Sequence, residues 1–70
     1  MRTVVIHREP VDLYKILKFE GLVASGGEAK MLIADGCVSL NGVVETRKRK
    51  KIFAGDVIGF GDETFRIELE

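Results

Sequence analysis

From Val38 to Val44 apolar and polar positions alternate: Val38 and Leu40 flank Ser39, Asn41-Gly42 interrupts, and Val43-Val44 follows. A period of two broken by Asn-Gly predicts a β-hairpin closed by a tight turn. Upstream the period is helical. Leu13, Ile16 and Leu17 form an apolar stripe, Lys15 and Lys18 fall off it, and Glu20-Gly21 supplies a stop, so a first helix is predicted from Pro10 to about Glu20. Pro10 suits the first turn because the N–H it lacks would have no partner there, and Asp12 complements the positive end of the helix dipole.

Ser25 followed three residues later by Glu28 is a capping-box pattern. It predicts a second helix that buries Ala29, Leu32 and Ile33 and runs to Asp35, with Gly36 as a left-handed stop. The β-branched stretch from Thr3 to His7 predicts an N-terminal strand at a sheet edge or across the core. After Ile52-Phe53 the chain turns at Ala54-Gly55-Asp56. Two strands follow, Val57 to Phe60 and Thr64 to Leu69, around Gly61-Asp62, with Phe65, Ile67 and Leu69 on one face. The fold class is α+β: two short helices packed on a small, mainly antiparallel sheet.

Seventy residues suffice for one domain, taken as residues 1–70. A chain of this size buries only about 60% of the surface its unfolded form exposes, so stability is marginal. An apolar fraction of 46% with 31% charged residues is too hydrophobic for a disordered chain. The single cysteine, Cys37, excludes an intramolecular disulfide and any metal site built on paired cysteines, which favours a reducing cytoplasm. The first residues carry too short an apolar stretch for a signal peptide, and no run approaches the roughly 20 apolar residues of a membrane span.

Catalysis needs a nucleophile with a base, an acid–base pair or a metal, and the chain offers one histidine and one cysteine. His7 reads as a strand-end surface residue, and Cys37, between Gly36 and Val38, as a small buried apolar one. No enzyme, cofactor, metal or small-molecule substrate is expected.

Charge changes the picture through its distribution. Eleven basic and eleven acidic residues cancel, yet five of the basic ones are consecutive, Arg47, Lys48, Arg49, Lys50 and Lys51, while the acids are scattered from Glu9 to Glu70. A local positive field survives the neutral sum. Five adjacent like charges cost stability in a domain with little to spare, so the run points to an anionic partner. A solvated loop, an import-like signal and an anionic-lipid patch are the bland alternatives.

A second anion site is readable at Ser25-Gly26-Gly27, where a phosphate could approach free N–H groups of the helix start, with Lys30 one turn on. The alternative, a helix cap with a loosened turn, stands beside it on equal terms. The aromatics Tyr14, Phe19, Phe53, Phe60 and Phe65 fall mostly on predicted core faces, which leaves no stacking platform for single-stranded bases. Phosphates and shape should then carry recognition of a base-paired or folded RNA.

Taken in order, Ser25-Gly26-Gly27-Glu28-Ala29-Lys30, Leu32-Ile33, Gly36, Val38, Leu40-Asn41-Gly42, the basic stretch and Ala54-Gly55-Asp56-Val57-Ile58 resemble the RNA-binding domain named after ribosomal protein S-four. The likeness is strongest to its small stand-alone bacterial members, the YbcJ-like proteins, and covers roughly residues 11 to 60. It implies an alpha-L fold, a helix-turn-helix-like pair against a small sheet, with RNA held between the second helix and the basic loop. It also implies RNA-surface roles for Ser25, Gly26, Gly27, Lys30, Asn41 and residues Arg47 to Lys51. Asn41 has a turn role regardless. Many family members carry arginine where this chain has Gly26, so a side-chain clamp is replaced at most by backbone N–H groups.

The expectation is thus a non-catalytic, cytoplasmic, ribosome-associated RNA-binding protein with structured RNA, ribosomal or tRNA-like, as partner and no membrane partner. The simplest oligomeric state is a monomer. The competing reading is a protein-interaction adaptor whose basic loop meets an acidic partner.

Overall fold

The structure, a computed structural model, describes residues 1–70. Its helices are short because the sequence stops them. In α1 (Leu13–Phe19) and α2 (Gly26–Ala34) the last turns close on Gly21 and Gly36, with φ of 70° and 83°. At each end the glycine and the residue after it donate back to the final turn: Gly21 to Lys18 and Leu22 to Leu17, Gly36 to Ile33 and Cys37 to Leu32. A seven-residue helix is not stable by propensity. Leu13, Ile16 and Leu17 are buried, and each contributes about 1.5–3 kcal/mol by burial, so packing of this face holds α1.

The strands are β1 (Arg2–Ile6), β2 (Val11–Asp12), β3 (Val38–Leu40), β4 (Val43–Val44), β5 (Lys51–Ile52), β6 (Val57–Phe60) and β7 (Glu63–Leu69). Five form one sheet in the order β1-β7-β6-β3-β4, antiparallel except that β1 runs parallel to β7 with Val4 opposite Ile67. The α+β architecture expected from the pattern is present, with β1 at the sheet edge. The hairpin turn between β3 and β4 sits on Asn41 and Gly42, with φ of 52° and 85°, the left-handed pair that an Asn-Gly turn needs. Inward residues Val4, Ile6, Val38, Ile58, Phe65 and Ile67 of the sheet meet Leu13, Ile16, Leu17, Ala29 and Ile33 of the helices in one core, which Ile52 completes.

Four expectations are corrected. Pro10 lies outside the helix, after a cis Glu9–Pro10 bond, and Val11-Asp12 forms β2 before α1 begins at Leu13. The first N–H groups of α1 bond to another segment of the chain, so the helix starts where that segment meets it. Cys37 is exposed rather than buried, because Val38 beside it takes the inward position. Phe19 and Phe53 are exposed, at 70% and 47%, because the core is filled by aliphatic side chains and Phe65. Leu32 is half-buried, while Ala29 and Ile33 are fully enclosed.

Candidate nucleic-acid interface

The basic loop is positioned by backbone. β5 pairs antiparallel with β2, Val11 opposite Ile52 and Asp12 opposite Lys51, which lays residues 47–51 across the start of α1. The N–H of Leu13 donates to the Lys50 carbonyl at 3.0 Å and that of Tyr14 to the Lys48 carbonyl at 3.1 Å. Two N–H groups that a helix start leaves without partners are thereby satisfied by the loop. Asp12 stands at the cap position in extended conformation, but its side chain makes no capping bond. Its carboxylate instead accepts from Lys51 Nζ at 2.5 Å, and this bond holds its pKa below the ordinary value.

The other end of the loop is pinned by Glu45, the one buried charged residue, 8% exposed. Its carboxylate accepts from the Arg47 backbone N–H at 2.9 Å, from Nε at 2.9 Å and from Nη2 at 3.0 Å. The Arg47 guanidinium, then its backbone N–H, bring the Glu45 pKa down to about 2, and Glu45 in turn raises that of Arg47. The five cations are therefore not equivalent. Arg47 and Lys51 face carboxylates, while Lys48, Arg49 and Lys50 have no acidic partner. Ion pairing at both ends relieves part of the self-repulsion that the sequence implies.

Tyr14 joins the loop to the helices. Lys30 Nζ lies 4.6 Å and Arg49 Cζ 5.8 Å from its ring centroid, both within cation–π range. A Cβ placed on Gly26 would meet Tyr14 Cε2 at 3.6 Å. One half-buried ring thus touches the basic loop, the second helix and its entrance. At that entrance Ser25 Oγ accepts from the Glu28 N–H at 3.1 Å, and Glu28 Oε1 accepts from the Ala24 N–H at 2.6 Å. The capping box is formed, with its return bond reaching one residue further back than Ser25. The N–H groups of Gly26 and Gly27 make no bond within the fold. They can receive an anion, although Glu28 places a carboxylate nearby.

Arg47, Arg49, Lys50, Lys51 and Phe53 line an open cleft of about 440 Å³. Asn41 lies apart from these groups in the bonding pattern. Its amide donates to Asp56 Oδ1 at 3.1 Å and accepts from the Val57 N–H at 2.9 Å, which ties the hairpin turn to the start of β6.

Residues 4–68 match the S4 domain family. This chain belongs to it. Against YbcJ of Escherichia coli (strain K12), to which RNA binding is ascribed, the S4 domain here is 43% identical over 68 residues, 96% of this chain and 97% of the relative. RlbA of Bacillus subtilis (strain 168), to which ribosome maturation is ascribed, is 34% identical over 59 residues, 80% of this chain and 83% of RlbA. The solution structure of YbcJ, described as having an αL motif involved in RNA binding, superposes with a TM-score of 0.73 at 42% identity. The alignment covers 97% of this chain and 87% of that one. The S4 domain match extends beyond residues 11 to 60 into β1 and β7.

Within this S4 domain Lys30, Arg49 and the helix entrance at Gly26 gather around Tyr14, with Ser25, Gly27 and the rest of the basic run adjoining them in the chain, while Asn41 bonds at the hairpin turn. Tyr14, Glu45 and Phe53 are absent from the sequence-derived set. The spacing of Tyr14 and Lys18, four apart and off the Leu13-Ile16-Leu17 stripe, is the signal of a second helix face, and both side chains do pack beside Gly26. Glu45 could be suspected from Glu-x-Arg spacing alone. His7 is exposed and contacts Glu70. No three His, Cys, Asp or Glu side chains gather as a metal site, and no helix is long and apolar enough to cross a membrane.

Proposed function

We propose that this S4 domain is a non-catalytic cytoplasmic module that docks on structured RNA by its backbone phosphates. The observation that carries this reading is the attachment of the basic loop to α1 through the Lys48 and Lys50 carbonyls. Backbone bonds hold the loop, so the side chains of Lys48, Arg49 and Lys50 are free to meet phosphates on a fixed frame. Lys30, beside the same Tyr14 ring, and the two open N–H groups at Gly26 and Gly27 extend the surface. The functions ascribed to YbcJ and RlbA support RNA as the partner, and RlbA favours ribosomal RNA.

With about four to five phosphates contacted, log affinity for a folded RNA falls with log salt with a slope of about −3 to −4. Titration of a ribosomal RNA hairpin at several salt concentrations measures it. A flat response overturns the reading. Recovery of ribosomal material on the tagged protein is expected to vanish after nuclease treatment; recovery that survives nuclease supports the adaptor alternative instead.

A further inference from the structure

Phosphate neutralisation leaves Phe53 without a role. The residue follows Ile52, which is fully buried in β5, and the alternation of a strand turns Phe53 outward, 47% exposed. A single exposed phenyl ring needs no explanation by itself. This one is the apolar wall of a cleft whose other walls are Arg47, Arg49, Lys50 and Lys51. Its backbone is held firmly. The Phe53 N–H donates to Asp56 Oδ2 at 2.8 Å and its carbonyl accepts from the Asp56 N–H at 3.1 Å. The next N–H, of Ala54, donates to Glu9 Oε2 at 2.7 Å.

A cleft that sets one exposed ring beside four cationic side chains matches a nucleotide, which offers a flat π-face for the ring and a phosphate for the cations. Within a duplex the face of a base is covered by its neighbours. Only an unpaired base can offer it. An acidic peptide without an apolar or aromatic side chain would leave the ring unused.

We infer that Phe53 is a stacking platform for one unpaired base, so that this domain prefers RNA whose helix is interrupted by a bulged nucleotide. The inference rests on the RNA-binding reading above and departs from the expectation that no aromatic side chain is available for stacking.

The test uses two hairpin RNAs that differ only by one bulged adenosine. Wild-type protein is expected to bind the bulged hairpin about tenfold more tightly, with a ring-current shift of the Phe53 ring protons that the continuous hairpin does not produce. Phe53→Ala should bring the two affinities together by weakening the bulged hairpin. Phe53→Tyr should restore the preference. Equal wild-type affinity for the two hairpins, or an equal loss for both in Phe53→Ala, overturns the inference while leaving the RNA-binding reading intact. Failure of both hairpins to bind at low salt overturns the RNA-binding reading itself, and the inference with it.

Discussion

The backbone N–H of Tyr14 donates to the carbonyl of Lys48 at 3.1 Å, so the basic loop closes the first turn of α1. Main chain and side chain of the loop are thereby separated in role. The carbonyls of Lys48 and Lys50 complete a helix, and a substitution that keeps the main chain in place keeps those bonds. The side chains of Lys48, Arg49 and Lys50 make no ion pair within the fold, whereas Arg47 and Lys51 answer Glu45 and Asp12.

Replacing Lys48, Arg49 and Lys50 together by alanine is therefore expected to leave the melting temperature within about 4 °C of wild type, since Lys48 and Arg49 are exposed and the half-buried Lys50 has no acidic partner. The same variant should reduce the magnitude of the salt slope for RNA binding by about 2 to 3, one phosphate contact being lost per residue. Thermal denaturation and affinity titration at several salt concentrations check both. Arg47→Ala should differ from the triple variant by lowering stability as well, since it leaves the Glu45 carboxylate without its donor side chain.

Glu45 sets a second expectation. Its carboxyl titrates near about 2 in the fold against an ordinary 4.5. The folded state thus holds that proton more weakly than the unfolded chain does. The stabilisation is fully present above about pH 4.5 and is lost as pH falls through about 2. Glu45→Gln should cost about 1–2 kcal/mol at pH 7 by weakening a charge-assisted contact. In urea denaturation the gap between variant and wild type should narrow steadily from pH 5 downward. Asp12, shifted the same way by Lys51, is common to both proteins and cancels in the difference.

The elements that were legible in the sequence are those whose residues announce their own geometry. Leu13-Ile16-Leu17 repeats at helical spacing, Ser25 and Glu28 satisfy each other's neighbourhood locally, and Asn41-Gly42 adopts the turn it favours. What was not legible depends on partners distant in the chain. A two-residue strand such as β2 has no period, and only its pairing with β5 defines it. The parallel match of β1 with β7 joins residues more than 60 positions apart. The same distance effect hid the candidate interface: Tyr14 gains its place only when Arg49 and Lys30 arrive beside it. A basic run shows its charge in the sequence, but not which charges are already answered.

Gly59 carries a packing constraint that a double substitution can expose. It lies opposite Ser39 in the pairing of β6 with β3, and a Cβ there would fall 2.3 Å from Ser39 Oγ but 3.7 Å from Ser39 Cβ. Gly59→Ala should destabilise the domain by forcing the serine hydroxyl out of its rotamer, by about 1 kcal/mol. Ser39→Ala removes the clashing atom. The double variant should recover most of the loss, a coupling that a four-variant denaturation cycle measures directly.

Gly26 offers the sharpest test of whether the entrance of α2 belongs to the RNA surface. Its backbone does not need glycine, and an added Cβ meets Tyr14 at 3.6 Å and Lys18 at 4.0 Å, both ordinary contacts. Gly26→Ala should therefore fold normally and, because the N–H groups at 26 and 27 remain, should leave RNA affinity nearly unchanged. Gly26→Arg adds a guanidinium beside Tyr14, Lys30 and the open N–H groups. Opposition from the helix dipole and from Lys30 is offset by Glu28 in the same turn and by the better helix propensity of arginine. The expected outcome is a stable variant with several-fold tighter RNA binding and a salt slope steeper by about 0.7–0.9, the contribution of one further phosphate contact. If the slope stays at the wild-type value while the protein remains folded, no phosphate reaches this entrance, and the RNA surface contracts to the basic loop with Lys30 at its border.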